Sequence, residues 1–388
     1  MPRSGSRERK PHALSSDESM RYQRQLVLPG IGAAGQLRLR SSSVLVVGVG
    51  GLGTPAATYL AAAGIGRLGL VDGDVIERSN LHRQFLFSES EVGRMKVEVA
   101  KARLAQVNPN TEVVPFPVRL DTTNAIETME SYDVVVDATD NLPSRYLISD
   151  ACVLSGKLDV FASALKFDGQ ASVFCAPEGP CYRCLRPRPP PPESVESCDV
   201  AGVLGAVSGV MGAVQAIQAI SVLVGKGSPL VGRLLVFSGQ DSTFEEVRVR
   251  KSPDCPVCGP NPTIRGLIDY DSFCGSKASK ADKTFDIEPL ELDESIRRGE
   301  RPILLDVREP YEYAICHLEG AKLIPVDQIP QRMKELDSTR SVVVYCHVGV
   351  RSARVTKILR EAGYLRAVNL KGGIEAWRQQ VDPSMRGY

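Results

Sequence analysis

Short apolar runs rich in valine and leucine alternate with longer segments of helical pattern between residues 41 and 260. The runs lie at residues 44–47, 68–71, 113–117, 133–136, 171–174 and 234–237. Strand-length runs separated by helix-length segments are typical of a parallel α/β sheet. Ahead of them, residues 14–40 predict a helix that starts with a capping pattern at Ser15 to Glu18. The first part of the chain is therefore predicted to be an α/β domain.

A second, smaller α/β unit is predicted for residues 285–388. Its strands are expected at residues 303–306, 322–324, 341–345 and 367–370. Residues 261–284 are polar and rich in Ser and Lys, which predicts a linker. The basic, Ser-rich residues 1–13 predict a disordered tail. A length of 388 residues fits two domains, at residues 14–260 and 285–388, better than one.

The charge balance excludes several classes of partner. The chain has 47 basic and 46 acidic residues, a net charge of +1, so no bulk attraction to nucleic acid or membrane is expected. Its first residues lack the apolar core of a secretory signal. The apolar stretches at residues 59–65 and 214–224 are expected to be too short or interrupted to span a bilayer. We therefore predict a soluble cytoplasmic protein.

A glycine-rich turn follows the first predicted strand. Its sequence is Gly48-Val49-Gly50-Gly51-Leu52-Gly53, and a helical segment comes next. In such a turn the backbone can approach a phosphate, and the helix N-terminus adds a favourable dipole. Asp72, at the end of the second strand, is placed to bind ribose hydroxyls. Taken alone, these features predict an oxidoreductase that uses NAD or FAD.

The residues beyond Asp72 argue against a hydride-transfer site. They include Asn80, Arg83, Gln84 and Lys96. Cations beside a phosphate-binding turn neutralise the charge that develops as pyrophosphate leaves a triphosphate. Asp140, after the strand at residues 133–136, is placed to bind Mg²⁺. The cluster therefore favours ATP with Mg²⁺ over a nicotinamide or flavin.

Taken together, these motifs resemble the ThiF/MoeB family across residues 14–259. The matching segments are Arg21-Tyr22-Gln23-Arg24-Gln25, the glycine-rich turn, Asp72-Gly73-Asp74, residues 79–84, Lys96 and Asp140-Asn141. Members of this family adenylylate the C-terminal Gly-Gly of ubiquitin-like sulfur carrier proteins. The resemblance implies a Rossmann-like adenylation domain. It also implies a homodimer in which Arg24 reaches into the neighbouring subunit's site.

The resemblance also implies roles for individual residues. Asp72 would hold the ribose, Arg83 and Lys96 would contact phosphates, and Asp140 would serve Mg²⁺. The full set of ATP-binding residues that it implies is Gly51, Asp72, Ser79, Asn80, Leu81, His82, Arg83, Lys96, Asp140, Asn141 and Arg24.

Two Cys-x-x-Cys pairs stand out among the ten cysteines. They are Cys181 with Cys184 and Cys255 with Cys258. Without a secretion signal, such pairs indicate a metal site rather than disulfides. Four thiolates suit tetrahedral zinc and leave no open position for water. We therefore predict one structural zinc ion per chain, which would join two distant segments.

Cys198 lies between a proline-rich stretch and a predicted helix at residues 202–224. A helix N-terminus favours the thiolate form of a nearby cysteine. In relatives that carry a sulfurtransferase tail, the matching cysteine forms a thioester with the terminal glycine of the carrier. The resemblance therefore makes Cys198 a candidate acyl acceptor. A purely structural role at the start of the helix stays open.

A second reactive cysteine opens the loop Cys346-His347-Val348-Gly349-Val350-Arg351-Ser352 after a predicted strand. Successive backbone N–H groups in such a loop stabilise an anionic sulfur, and Arg351 is expected to add positive charge. The spacing is Cys-x4-Arg, one residue shorter than the loop of tyrosine-type phosphatases. The pattern therefore favours a persulfide on Cys346, held by a loop that includes Gly349 and Arg351.

Residues 285–388 resemble a rhodanese domain. The resemblance rests on the loop at Cys346, on Asp306-Val307-Arg308-Glu309, on residues 317–321 and on residues 371–377. Fusion of a MoeB-like domain with a rhodanese domain is found in the MoeZ-like group and in eukaryotic molybdopterin synthase sulfurylases. The fusion implies adenylylation of a carrier, followed by attack of a Cys346 persulfide to give a thiocarboxylate. The sulfur donor would be a cysteine desulfurase or thiosulfate, and the product would serve molybdopterin synthesis or tRNA thiolation.

Three alternatives remain open on the sequence alone. One is a ubiquitin-like activating enzyme that delivers a thioester for conjugation, with the rhodanese domain in a regulatory role. Another is a nicotinamide-dependent oxidoreductase fused to a rhodanese domain. The last is an inactive scaffold that binds the carrier, which the complete set of charged residues at the nucleotide site disfavours.

Overall fold

The computed structural model describes residues 13–190, 201–275 and 285–387. The chain divides into two compact units, Met1–Lys277 and Ala278–Tyr388. The predicted tail at residues 1–13 lies outside the described residues, except for Ala13. The exact domain limits stay predictions.

The first unit is built on one sheet of eight strands. The strands are β1 (Ser43–Val47), β2 (Arg67–Val71), β3 (Glu112–Phe116), β4 (Val134–Asp137), β5 (Leu158–Leu165), β6 (Asp168–Phe174), β7 (Arg233–Ser238) and β8 (Thr243–Arg248). Their order in the sheet is β3-β2-β1-β4-β5-β6-β7-β8. The strands from β3 to β5 are parallel, as the alternation of strands and helices predicts. The order reverses between β1 and β4, where α/β sheets open a crevice for ligands.

The rest of this sheet differs from the predicted parallel arrangement. Strands β5, β6, β7 and β8 pair antiparallel. Only two residues, Lys166 and Phe167, join β5 to β6, and Lys166 has a positive φ of 54°. A connection this short forms a hairpin and cannot cross over to a parallel neighbour. The prediction also missed β5 and β8 as strands.

Helices cover both faces of the sheet. They are α1 (Ser16–Arg21), α2 (Gln23–Leu26), α3 (Gly32–Ser41), α4 (Gly53–Ala63), α5 (Lys96–Val107), α6 (Ala125–Glu130), α7 (Leu142–Ser155), α8 (Tyr182–Leu185), α9 (Gly205–Val224) and α10 (Tyr270–Phe273). The apolar core on one face is formed mainly by α4, α5 and α9, and that on the other by α6 and α7.

The single helix predicted for residues 14–40 is three helices. The capping box at Ser15 is present, with Glu18 N–H donating to Ser15 Oγ and Ser15 N–H donating to Glu18 Oε2. The helix is interrupted at Tyr22, whose side chain is buried and whose hydroxyl oxygen accepts a hydrogen bond from Asn108 Nδ2 at 2.8 Å. Pro29 and Gly30 then separate α2 from α3, since proline cannot continue a helix.

Helix α9 is longer and more apolar than a typical surface helix. By length and composition alone it is the one helix of the described residues that could cross a membrane, and 44% of its apolar stretch of 18 residues is buried within the unit. Its Gln215 Nε2 donates to Asp137 O and Val160 O, which fixes the helix to β4 and β5. These contacts are those of a core helix packed on a sheet.

The second unit has a sheet of five parallel strands. They are β9 (Asp286–Ile287), β10 (Ile303–Asp306), β11 (Lys322–Leu323), β12 (Val342–Tyr345) and β13 (Ala367–Leu370), in the order β11-β10-β12-β13-β9. Its helices are α11 (Pro289–Arg297), α12 (Pro310–Ile315), α13 (Ile329–Arg332), α14 (Val350–Glu361) and α15 (Gly373–Gln380). All four predicted strands are present, and the two-residue β9 is additional.

Part of the predicted linker belongs to the first unit. Helix α10 packs on the core that α7 covers, where Tyr270 and Cys274 are buried. The hydroxyl of Tyr270 donates to Asp150 Oδ2 at 2.8 Å. The described part of the predicted linker therefore ends in a packed helix, whereas residues 276–284 lie outside the described residues.

Strand β5 contains a buried carboxyl group without a partner. Asp159 is 1% exposed, and neither of its side-chain oxygens has a hydrogen-bond partner among the described residues. Burial, together with the nearby Asp137, raises the pKa of Asp159 well above its ordinary value. A charged residue inside a central strand also explains why the apolar pattern did not reveal β5.

Replacing Asp159 with leucine is expected to stabilise the first unit. Because the folded-state pKa is raised, wild-type stability falls as the pH rises from the unfolded value of about 4 toward the folded value. Asp159→Leu should raise the free energy of unfolding by about 1–3 kcal/mol and weaken this pH dependence. Urea denaturation followed by circular dichroism at about pH 5 and about pH 8 measures both effects.

Asp168→Leu, at an exposed position at the start of β6, provides the control and should change stability by less than about 0.5 kcal/mol. A loss of stability in Asp159→Leu would mean that the carboxyl group has an essential partner.

Candidate functional site

A cavity of about 1020 Å³ opens where the parallel strands of the first unit end. Its walls come from the residues that follow β1, β2, β3 and β4 and from the start of α9. The cavity lies at the crevice where the strand order reverses, which is the usual ligand position in sheets of this kind.

The glycine-rich turn forms the floor of the cavity. Gly48 has a φ of +90°, and a Cβ there would lie 2.8 Å from Ala138 O, so only glycine fits. Asp72 is fixed beside the turn, since Oδ2 accepts from Val49 N–H at 2.8 Å and Oδ1 from Asp74 N–H at 2.9 Å. Burial raises the pKa of the Asp72 carboxyl despite the nearby positive charge of Lys96.

Two cations lie on the next part of the wall. Lys96, at the N-terminus of α5, is buried and forms a 2.9 Å ion pair with Asp74. Arg83 donates from Nη1 to Ser79 O at 3.0 Å and lies 2.9 Å from His82 Nε2. Burial, with the charge of Arg83, lowers the pKa of His82, so its ring is neutral at pH 7. The positive charge on this side of the cavity therefore belongs to Arg83 and Lys96.

Asp140 stands on the opposite side, on a tight turn after β4. Asp137 Oδ1 accepts from the N–H of Thr139 at 3.0 Å and from its hydroxyl at 2.6 Å, which shapes the turn. The side chain of Asn141 accepts from Ser144 N–H at 3.0 Å and so caps helix α7. Asp140 lines the cavity next to this capped helix.

Seven of the eleven predicted ATP-binding residues line this cavity. They are Gly51, Asp72, Asn80, Arg83, Lys96, Asp140 and Asn141. Ser79, Leu81 and His82 lie in the same segment but do not line it, and Arg24 is exposed on α2, also away from it. Asp74, Gln84 and Ser208 also line the cavity but are not in the predicted ATP-binding set. Asp74 and Gln84 lie within the motifs quoted above, whereas no local pattern marks Ser208.

The thiol of Cys346 occupies a closed loop in the second unit. The loop leads from β12 to α14, and Cys346 is 1% exposed. Its Sγ accepts from Gly349 N–H at 3.1 Å and from Ser352 Oγ–H at 3.3 Å. Both donors stabilise a thiolate. Ser352 was not among the predicted site residues.

The turn at Gly372-Gly373 holds this loop in place. Ile374 N–H donates to Cys346 O at 2.9 Å, and Glu375 N–H donates to His347 O at 3.1 Å. A Cβ at Gly373 would collide with the carbonyl oxygens of His347 and Cys346, which explains the glycine. The first turn of α15 therefore holds the loop through these two backbone hydrogen bonds.

Arg351 forms an ion pair with a carboxylate of the same unit. Its guanidinium donates twice to Glu312, at 2.7 Å each, and the Glu312 side chain is only 5% exposed. Much of the positive charge that the sequence predicted for the loop is thus balanced by this carboxylate. Stabilisation of the sulfur then rests more on Gly349 N–H and Ser352 Oγ than the prediction supposed.

The four paired cysteines come together in the first unit. Their Sγ atoms all lie within 4.8 Å of one another, with 3.9 Å between Cys181 and Cys184, 3.5 Å between Cys181 and Cys255, and 3.4 Å between Cys184 and Cys258. A tetrahedral site with metal–sulfur bonds of roughly 2.3 Å places sulfur atoms roughly 3.8 Å apart. The donor set and its spacing therefore fit a tetrahedral metal ion.

A buried ion pair ties this cluster to the core. Arg183, inside the first Cys-x-x-Cys turn, donates to both carboxylate oxygens of Asp150, and both side chains are essentially unexposed. The guanidinium lies between the rings of Tyr146 and Phe273, 5.0 and 4.5 Å from their centroids. With the Tyr270 hydroxyl also on Asp150, the cluster, α7 and α10 share one polar network.

Comparison with known proteins agrees with the structures of both units. The ThiF family model matches residues 22–257, and the rhodanese-like domain model matches residues 288–380. The chain belongs to the ThiF family. This ThiF-family unit is followed by a rhodanese-like unit, as the motifs predicted.

Relatives with the same combination cover nearly the whole chain. The adenylyltransferase and sulfurtransferase MOCS3 of Drosophila yakuba is 46% identical over 97% of this chain and 86% of its own length. The probable adenylyltransferase/sulfurtransferase MoeZ of Mycobacterium tuberculosis is 42% identical over 97% of both chains. The chain is therefore an enzyme that combines adenylyl transfer with sulfur transfer, and the oxidoreductase alternative is wrong.

A solved structure with ATP has the same fold as the first unit. The crystal structure of E. coli MccB with ATP matches at a TM-score of 0.56 and 25% identity, over 63% of this chain and 75% of that one. The ThiF-family unit thus shares its fold with an ATP-bound protein, and ATP binding by this unit follows.

Substitution of Arg183 tests the link between the cysteine cluster and the core. Arg183→Met leaves the Asp150 carboxylate buried without its cation, which should lower the free energy of unfolding by about 3–5 kcal/mol. Asp150→Leu combined with Arg183→Met should recover part of that loss, because no charge stays buried. Urea denaturation of the full chain measures both values.

Arg250→Met, at an exposed position near the cluster in sequence, is the matched control and should leave stability unchanged. If Arg183→Met behaves like this control, the ion pair makes no net contribution to the fold.

Proposed function

We propose that the chain converts the C-terminal Gly-Gly of a ubiquitin-like sulfur carrier into a thiocarboxylate. The first unit adenylylates the terminal carboxylate with ATP, and Cys346 then supplies the sulfur as a persulfide. The observation that carries the proposal is the pairing of two sites in one chain. One is a phosphate-binding cavity with Lys96 and Arg83, and the other is a shielded thiol held by two donors.

Adenylylation begins with the ATP-binding residues of the cavity. In the proposed arrangement Asp72 holds the ribose, while Arg83 and Lys96 contact the phosphates. A carboxylate oxygen of the carrier attacks the α-phosphorus, and pyrophosphate leaves with the electron pair of the broken P–O bond. Lys96 and Arg83 offset the charge that develops on this leaving group. Asp140 would hold Mg²⁺, which would neutralise phosphate charge.

Sulfur transfer uses the acyl adenylate as the electrophile. The outer sulfur of the Cys346 persulfide attacks the acyl carbon, AMP leaves, and an acyl disulfide joins the carrier to Cys346. A second thiolate then attacks the Cys346 sulfur of this disulfide, which releases the thiocarboxylate and leaves a protein disulfide. An external thiol reductant must restore both cysteines. The donor that loads Cys346 would be a cysteine desulfurase or thiosulfate.

Cys198 is the proposed second thiol, as an acyl acceptor before sulfur transfer or as the resolving thiolate after it. It lies outside the described residues, so the proposal rests on its motif. We also propose that the enzyme is a homodimer, with Arg24 serving the neighbouring subunit's cavity. The exposure of Arg24 away from the cavity of its own chain supports this arrangement.

The product would serve molybdopterin synthesis, tRNA thiolation or both. We place the reaction in the cytoplasm, because persulfide and thiolate chemistry needs a compartment that keeps cysteines reduced. The four-cysteine cluster would hold zinc through Cys181, Cys184, Cys255 and Cys258. This zinc would be structural, since four thiolates complete its coordination.

The mass of a Gly-Gly-ended carrier tests the proposed reaction. After incubation with the enzyme, Mg-ATP, thiosulfate and a thiol reductant, the intact mass should rise by roughly 16 Da as sulfur replaces oxygen. Cys346→Ala should abolish this gain while ATP–pyrophosphate exchange continues. Cys316→Ala, which removes another thiol of the same unit, should retain the gain.

A carrier trapped as a thioester on Cys198, with no thiocarboxylate formed by the wild-type enzyme, would instead support activation for conjugation. Loss of exchange in Cys346→Ala would contradict independent action of the two sites.

Metal analysis tests the cysteine cluster. The purified chain should contain about one zinc ion, and Cys255→Ser should lower both the zinc content and the thermal midpoint. Cys274→Ser changes a buried cysteine outside the cluster and should keep its zinc. Full zinc content in Cys255→Ser would remove this residue from the ligand set.

A further inference from the structure

Two polar side chains in the wall of the nucleotide cavity are almost completely buried. Gln84 is 2% exposed, and its Oε1 makes no hydrogen bond with the part of the chain that the structure describes. Ser208 is 3% exposed and lines the same cavity. The side-chain amide of Gln84 and the hydroxyl of Ser208 can each donate a hydrogen bond to a ligand in the cavity.

Both side chains lie against the glycine-rich turn. A Cβ built on Gly50 would lie 3.7 Å from Gln84 Nε2, and one built on Gly51 would lie 3.2 Å from Ser208 Oγ. The Cδ of Arg83 would be 3.4 Å from the same Gly51 position. Asp72 instead binds the turn through Val49 N–H. Gln84 and Ser208 therefore belong to the end of the cavity where Arg83 lies.

The start of helix α9 adds a partial positive charge at this end. Ser208 lies in its first turn, and Leu204, which precedes the helix, makes no side-chain cap. A Cβ at Gly205 would lie 3.1 Å from the Cβ of Arg83, so the helix begins directly against this residue. The helix has 20 residues, so its N-terminus carries a partial positive charge close to Ser208. Such an N-terminus favours an anion.

We propose that Gln84, Ser208 and the first turn of α9 bind the β- and γ-phosphates of ATP and hold the pyrophosphate as it leaves. This inference deepens the proposed function and rests on it. As the carrier oxygen bonds to the α-phosphorus, the bond from that phosphorus to the bridging oxygen breaks, and its electron pair moves onto pyrophosphate. The amide and hydroxyl donate hydrogen bonds to that charge, and no proton is transferred.

No sequence motif identifies Ser208. It lies more than 150 residues after the glycine-rich turn, in a helix whose composition is otherwise small and apolar. Packing of α9 on α4 and β5 brings its hydroxyl to Gly51. The phosphate site is therefore completed by a helix from the far half of the unit.

Calorimetric titration of the full chain with two nucleotides tests the proposal. The non-hydrolysable analogue AMPPCP contains the β- and γ-phosphates, and AMP lacks them. Ser208→Ala should weaken binding of the analogue about tenfold, as expected for a hydrogen bond to a charged group, and leave binding of AMP unchanged. Gln84→Ala should have the same selective effect. Ser221→Ala, on the same helix but outside the cavity, is the control and should bind both nucleotides like the wild type.

Three results would overturn the proposal. Equal losses for AMPPCP and AMP would place the two side chains at the nucleoside end or in the general fold. Unchanged binding of AMPPCP in both variants would remove them from the phosphate site. Unchanged AMPPCP binding with a raised KM for the carrier would assign them to the carrier carboxylate. The titration needs no carrier, so failure of carrier adenylylation would contradict the proposed function without deciding this test.

Discussion

Both sites depend on a turn that joins the carboxyl end of a parallel strand to the N-terminus of a helix. In the first unit the turn after β1 leads into α4, and in the second the loop after β12 leads into α14. A helix N-terminus favours negative charge beside it, and in the second unit Gly349 N–H also donates to the sulfur. The two turns differ in the size of the space that they enclose. The turn at Gly48–Gly53 opens into a cavity of about 1020 Å³, whereas the loop at Cys346 closes around a single sulfur atom.

Buried ion pairs hold the segments around the sulfur loop and the cysteine cluster. Asp306 and Arg308 are both unexposed, and Arg308 also donates to Cys316 O at 2.7 Å, which fixes the chain that leads to α12. Helix α12 in turn carries Glu312, the partner of Arg351 in the sulfur loop. In the first unit, Asp150 and Arg183 perform the same task between α7 and the cysteine cluster. The charged side chains of these pairs therefore hold loops in place, whereas uncharged hydrogen-bond donors contact the sulfur.

The sequence predicted those features whose signal is local. The glycine-rich turn, the Cys-x-x-Cys pairs and the loop at Cys346 each occupy a few consecutive residues, and the structure forms a turn, a cluster and a loop from them. Strand β5 was missed because Asp159 interrupts its apolar run, and β8 because all its residues are exposed. The pairing of Arg351 with Glu312 and the approach of Ser208 to Gly51 depend on tertiary packing. No spacing rule along the chain reveals such contacts.

In the proposed reaction, the burial of Cys346 determines the order of the steps. Its thiol is 1% exposed, so the resting sulfur is withdrawn from any activated acyl group. A persulfide extends the side chain by one S–S bond of about 2.05 Å, which carries the outer sulfur beyond the position of the resting thiol. In the proposed reaction, this burial protects an unloaded enzyme from a futile acylation that would trap the carrier as an ordinary thioester. The reach of the side chain then distinguishes the persulfide-loaded enzyme from the empty one.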